Sequence, residues 1–345
     1  MIPAKQRFDF FFLQLENLLE AGNLQNDPAT FLYNNGGRNT LFMLEALARL
    51  NEKIYKKKRF QKLKESIKVV EDMLGEIDYF DSFAKSFAEM PAVNENVLHY
   101  LDARKHEAVK KLNHLLLHDN WIGQKKNKID KFRKKIKDFD WHSEREDLEE
   151  VKKIYLKTIE GIQENYLPIA QRGFKQVEEE VHEFRRDIRW LSIYPQAMRG
   201  AIQLTPMQHE ADPAFEKYLV PEIVGSPFNV FPAVTDQQWV LTLNRNHFYA
   251  LSWMIDKFGE LKDEGLKIFS LAHAIRDIHL KEEFEALSEA ESILNNPINK
   301  REYILGRATE LAKEYLEEGS LLALVKGIEH AEPNSQTTTL SPTSS

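Results

Sequence analysis

The segment Val181-His182-Glu183-Phe184-Arg185-Arg186-Asp187-Ile188-Arg189-Trp190-Leu191 concentrates the side chains best suited to hold an anion. At about 100° per residue on a helix, Val177, Val181, Phe184, Ile188 and Leu191 form one apolar stripe. His182, Arg185 and Arg189 follow at i, i+3 and i+7, roughly 110° from the centre of that stripe. Cations placed there flank a buried face, where a groove between helices opens. A guanidinium suits the position, because its planar fork binds phosphate oxygens bidentately and tolerates partial burial better than an ammonium group. Arg186 is a further cation on the same helix. The other reading of the row is a solvated face with a histidine at the edge of the core, since clustered charges are often structural.

Other residue sets carry weaker chemistry. From Gln124 to Lys137, Ile129, Phe132 and Ile136, continued by Phe139, make an apolar side and nearly everything else is basic. Such a helix binds a polyanion (polyphosphate, RNA or acidic lipid) or is a solvated helix paired with the acidic run Glu144–Glu150. It lacks interleaved aromatics for base stacking, so nucleic acid is the weakest of these ligands. Lys56, Lys57, Lys58 and Arg59 read as a solvated joint between helices. His114 and His118 stand four apart with Asp119 adjacent, a spacing that can share a metal. Leu115–Leu117 between them favour core or core-edge histidines instead. Glu179-x-x-His182 fits half of a di-iron carboxylate motif, but the chain has no second Glu-x-x-His. It also has no Gly-rich phosphate loop, no Gly-x-Ser-x-Gly and no His-Glu-x-x-His. With zero cysteines, disulfides, zinc-thiolate sites and thiol nucleophiles are excluded. Trp190, Trp239 and Trp253 read as core anchors.

The elements that must position these groups are helices. Phe60, Leu63, Ile67, Val70 and Leu74 alternate spacings of three and four, as do Leu148, Val151, Tyr155, Ile159 and Ile162. Leu98, Leu101, Ala108, Leu112 and Leu115 mark another helix. No stretch sustains the alternation of a strand. Residues 200–245, with Pro206, Pro213, Pro221, Pro227 and Pro232, read as a long irregular loop. Residues 332–345 are rich in Ser, Thr and Pro and are expected to be disordered. The chain also looks duplicated. Ile67, Val70 and Leu74 precede Gly75 at the same offsets as Leu251, Met254 and Phe258 precede Gly259. Each glycine reads as the end of a helix, with the acidic residues beyond it capping the next.

The chain has 345 residues, 42% of them apolar, enough for a substantial core. Its N-terminus lacks the pattern of a signal peptide, and no segment approaches the roughly 18–20 apolar residues of a membrane span, so a cytoplasmic location is expected. Net charge is −7, but residues 101–140 carry twelve Lys/Arg against six Asp/Glu, and residues 281–345 the reverse. A basic face on an acidic protein is therefore available.

On these residues the chain resembles the CHAD family, whose halves carry His-x-x-Arg-x-x-x-(Arg/Lys)-x-Leu-(Arg) and, later, Leu-Gly-x-x-x-Asp. The second half is similar through His182, Arg185, Arg189, Leu191, Gly259 and Asp263, with Ser192 where a further arginine is usual. In the first half Asn35 stands at the histidine position, Arg38 matches, Phe42 replaces the second arginine, Gly75 matches, and the acidic residue moves to Asp78. The resemblance implies an all-α fold of two pseudo-symmetric antiparallel four-helix bundles in one compact unit. Residues 1–331 would form it, in halves of about 1–140 and 141–331, with 200–245 as an insertion. It further implies a non-enzymatic polyanion-binding protein without cofactor. Inorganic polyphosphate is the leading ligand, held by His182, Arg185 and Arg189, then Arg186 and Arg38. A helical interaction scaffold that has lost the ligand site is the alternative, and a ferritin-like metal enzyme the third reading.

Overall fold

The structure, a computed structural model, describes residues 3–123, 127–137, 139–207, 213–295 and 300–331. The expected disorder of 332–345 lies outside them. The protein is all-α, with twelve α-helices and three short strands among the described residues. The helices are α1 (Pro3–Asn23), α2 (Pro28–Asn34), α3 (Gly37–Tyr55), α4 (Lys58–Ala88), α5 (Glu95–His118) and α6 (Lys128–Lys137) in the first part of the chain. The second part carries α7 (Glu144–Arg172), α8 (Glu183–Ala197), α9 (Pro221–Val224), α10 (Arg245–His279), α11 (Glu283–Leu294) and α12 (Arg301–Glu317).

The local sequence explains the main boundaries. At the start of α7 the Glu146 carboxylate accepts from the Ser143 N–H at 3.0 Å, one arm of a capping box. Asn244 Oδ1 accepts from the Asn246 N–H at 3.1 Å to open α10. Lys56 closes α3 in the left-handed conformation, and α4 begins two residues later, so the Lys56–Arg59 run is the joint its composition suggested.

α3 packs on α4 and α4 on α5, with α1 and α2 laid against them; α10 contacts α8, α11 and α12, and α12 contacts α7. The two groups meet where α3 crosses α8 and α5 crosses α10, and one hydrophobic core runs through both. A buried ion pair also joins them, Arg7 Nη1 of α1 to Asp147 Oδ2 of α7 at 2.7 Å.

Four expectations from sequence are corrected. Gly75 and Gly259 do not end helices: α4 and α10 run straight through them, for a reason given below. Residues 200–245 are not a bare loop. Three of their prolines open short helical turns (Pro213–Tyr218, α9 and Pro227–Asn229), and both ends of the segment are strands. Strands β1 (Ile202–Leu204), β2 (Trp239–Leu243) and β3 (Val325–His330) form one sheet in that order, β1 parallel and β3 antiparallel to β2. Strands of three to six residues are too short to show an alternation, and β2 and β3 lie some eighty residues apart in sequence. Finally, His114 and His118 are exposed, stacked 5.6 Å apart, and Leu117 beside them is solvent-facing; the buried row of α5 is Leu101, Ala108, Leu112 and Leu116. Trp190 is buried, whereas Trp239 and Trp253 are half-buried.

Candidate anion-binding cleft

α8 is the element that matters most, and its placement follows from an unusual pair of residues. Pro195 lies inside the helix and has no N–H, which leaves the Leu191 carbonyl without its usual helical partner. The buried Tyr155 hydroxyl of α7 donates to that carbonyl at 2.9 Å. The proline defect thus becomes the anchor that fixes α8 on α7. At the other end, a π-helical turn (Val177–His182) leads into α8.

Arg185 and Arg189 project from α8 beside α10 and α3. Arg185 lies across Gly259: a methyl group there would stand 3.2 Å from Arg185 Nε. Arg185 Nε donates to the Ile255 carbonyl, four residues before that glycine, at 3.1 Å. The first half of the chain repeats the arrangement. Arg38 of α3 lies across Gly75 of α4, where a methyl group would stand 2.9 Å from Arg38 Nη2. Arg38 Nε donates to Glu71, again four residues before the glycine, at 2.8 Å. Both mid-helix glycines are therefore gaps for a crossing guanidinium, which is why neither stops its helix.

The two arginines end in different surroundings. Arg38 is neutralised by Glu71 at 2.8 Å and Asp78 at 2.9 Å. Arg185 has Asp263 and Asp256 nearby, neither in contact. Arg189 has no ion-pair partner among the described residues; its guanidinium stands 4.8 Å from the centre of the Phe42 ring, which Arg38 approaches from 5.4 Å. Burial lowers the pKa of Arg185, against the pull of Asp263 and Asp256. Arg189 is pushed down to about 10, first by burial and then by the positive charges of Arg185 and Arg38. It still carries its charge at neutral pH.

Both arginines line a cleft of about 860 Å³ between α1, α3, α8 and α10. The proline-rich segment closes it: Ile223, Ser226, Pro227 and Phe228 form one wall. Gln196 Nε2 of α8 holds that wall by donating to the carbonyls of Phe228 at 3.1 Å and Val230 at 2.9 Å. Asn229 Nδ2 ties it to Ser252 of α10 at 2.8 Å. Phe10 and Phe11 of α1 contribute from the opposite end of the sequence. Spacing within one helix could not reveal walls that run from Phe10 to Asp263.

The remaining expected site residues sit elsewhere. His182 Nδ1 lies 2.8 Å from Glu178, one turn back in the π-helical stretch, and His182 does not line the cleft. Arg186 is exposed and pairs with Glu183. Arg38 faces its two carboxylates outside the cleft. The basic helix α6 does not pair with Glu144–Glu150. It packs on α1, with Arg133 on Glu16 at 2.7 Å and Lys128 on Asp119 at 2.9 Å, which leaves Lys131, Lys134, Lys135 and Lys137 without acidic partners among the described residues.

Among the described residues no helix is long and apolar enough to cross a membrane, and no group of three or more metal-ligating side chains converges. Compared with known proteins, the chain matches no family model, no curated protein and no solved structure.

Proposed function

We propose that this protein binds an anion in the cleft beside α8, without catalysis, and that Arg185 and Arg189 carry the binding. The observation behind the reading is Arg189: a half-buried guanidinium with no ion-pair partner among the described residues, only the more distant charge of Glu71, next to a second arginine and inside a cleft of ligand size. An uncompensated buried charge is costly, and an incoming anion relieves that cost. The matching way in which Arg38 crosses Gly75 and Arg185 crosses Gly259 supports a duplicated, CHAD-like architecture. With it comes inorganic polyphosphate as the first ligand to try. His182, Arg186 and Arg38 then act at a distance or not at all.

Calorimetric titration with polyphosphate tests this. Arg185→Ala with Arg189→Ala should weaken binding at least about tenfold, because each charge-assisted contact contributes roughly 1.5–3 kcal/mol. Binding should also fall with salt. Lys134→Ala with Lys135→Ala is the charge-matched control; an equal loss there moves the site to the surface of α6.

One observation favours a second reading. Phe42 occupies the place of the second arginine in the first half and stands between Arg38 and Arg189. A cation row interrupted by an aromatic ring suits an interaction scaffold that has lost its ligand. No salt-sensitive binding by the wild type would decide for it.

A further inference from the structure

The lining of the cleft points to a narrower ligand class than a polyanion, an inference that rests on the anion-binding reading above. Its charged side chains are Arg185, Arg189 and Arg199 against Glu222, Asp256, Glu260 and Asp263, so its cations are outnumbered. The last three acids are solvated, with side-chain exposures of 50%, 61% and 66%. Lys257 pairs with both Asp256 and Glu260, at 3.5 and 2.7 Å. Lys262 likewise pairs with Asp263, at 2.6 Å. A long phosphate chain would set most of its charges beside carboxylates already paired with lysine, whereas one anionic head needs only the two guanidinium groups.

The rest of the lining is apolar to a degree that phosphate does not need. Phe42 covers Arg189. Met43, Phe11 and Ile193 line the same space. Phe228, on the wall held by Gln196, is 73% exposed, and its neighbour Val230 is 67% exposed. Large side chains held open to water beside a cleft lose hydration cost when an apolar body covers them. The cavity volume lies within the range that takes drug-sized ligands.

We propose that the cleft binds a single-headed amphipathic anion, its carboxylate or phosphate on Arg189 and Arg185 and its apolar body along Phe42, Met43, Phe11 and Phe228. Guanidinium recognises either head, so the head group is what the experiment resolves. Full-length protein is titrated, below the micellar range of each probe, with dodecanoate, dodecyl phosphate, dodecyltrimethylammonium, inorganic phosphate and polyphosphate. One or both amphipathic anions should bind one to one, at least about tenfold tighter than inorganic phosphate and the cationic amphiphile. Arg189→Gln should remove that preference over the cation. Phe228→Ser, a change at an exposed position, should weaken the amphiphiles several-fold more than it weakens inorganic phosphate. Arg189→Lys, with an unchanged melting temperature, serves if the glutamine variant folds poorly, and should bind more weakly than wild type. Polyphosphate binding without dodecanoate or dodecyl phosphate would overturn the amphipathic ligand and leave the anion site standing. Equal binding of the cationic amphiphile would overturn it as adsorption to an apolar surface. Binding of none of the anions would remove both the ligand class and the anion site.

Discussion

At the scale of single residues, the cations differ in where each finds its counter-charge. Arg38 and Arg186 have carboxylates and His182 has Glu178, whereas Arg189 has the Phe42 ring and, among the described residues, no ion-pair partner. One consequence is a pH profile. His182 is outside the cleft, so His182→Gln should leave anion binding unchanged. In the proposed site the relevant charge is that of Arg189, whose pKa burial and the neighbouring Arg185 and Arg38 push down to about 10. For a probe whose own charge is fixed, such as dodecyl sulfate, anion affinity is expected to fall as pH is raised toward and above about 10. Titrations at several pH values check this; an affinity that does not fall up to about pH 11 would contradict it, and a loss of binding in His182→Gln would return His182 to the site. The placement of Arg185 and Arg189 beside the buried stripe was legible in the sequence because a helical period fixes the angle between a charge and an apolar stripe. The role of His182 was not, because the apolar stripe says nothing of its i,i+4 neighbour Glu178, whose carboxylate takes the ring nitrogen.

At the scale of elements, the two glycines separate what composition suggests from what packing requires. Helix propensity alone favours alanine over glycine by about 1 kcal/mol in a helix interior. Gly161 in α7 and Gly306 in α12 have open space where a methyl group would go, whereas Gly75 and Gly259 have a guanidinium. Gly161→Ala and Gly306→Ala should each stabilise the protein by roughly 0.5–1 kcal/mol. Gly75→Ala and Gly259→Ala should yield no gain, and Gly259→Ala should weaken anion binding by displacing Arg185. Denaturant melts of the four variants, with binding measured on the last, test the contrast. Four equal gains would mean that the arginine crossings are incidental. The offset match around Gly75 and Gly259 was readable from sequence, but its meaning was not. A glycine that stops a helix and one that admits a neighbouring side chain look alike until the neighbour is known. The strands escaped for a related reason, since β1 is defined by pairing with β2 rather than by its own three residues.

At the scale of the molecule, two helical groups share one core and are joined by a buried ion pair, and the cleft lies against that junction. Asp147→Ala would leave Arg7 buried without its partner and should cost about 3–5 kcal/mol, measured by denaturant unfolding. Replacing the pair by Arg7→Met with Asp147→Leu should restore most of that loss. If the double variant is no better than Asp147→Ala, the pair fixes geometry that apolar packing cannot supply. The all-α class was legible because helical stripes recur along the chain. The walls of the cleft were not, because Phe11, Arg189 and Phe228 come together only through tertiary packing. Crystals soaked in tungstate show whether Arg185 and Arg189 together hold an anion. An anomalous peak is expected within hydrogen-bonding reach of both guanidinium groups. Peaks confined to the lysines of α6, with the cleft empty of tungstate, would contradict it.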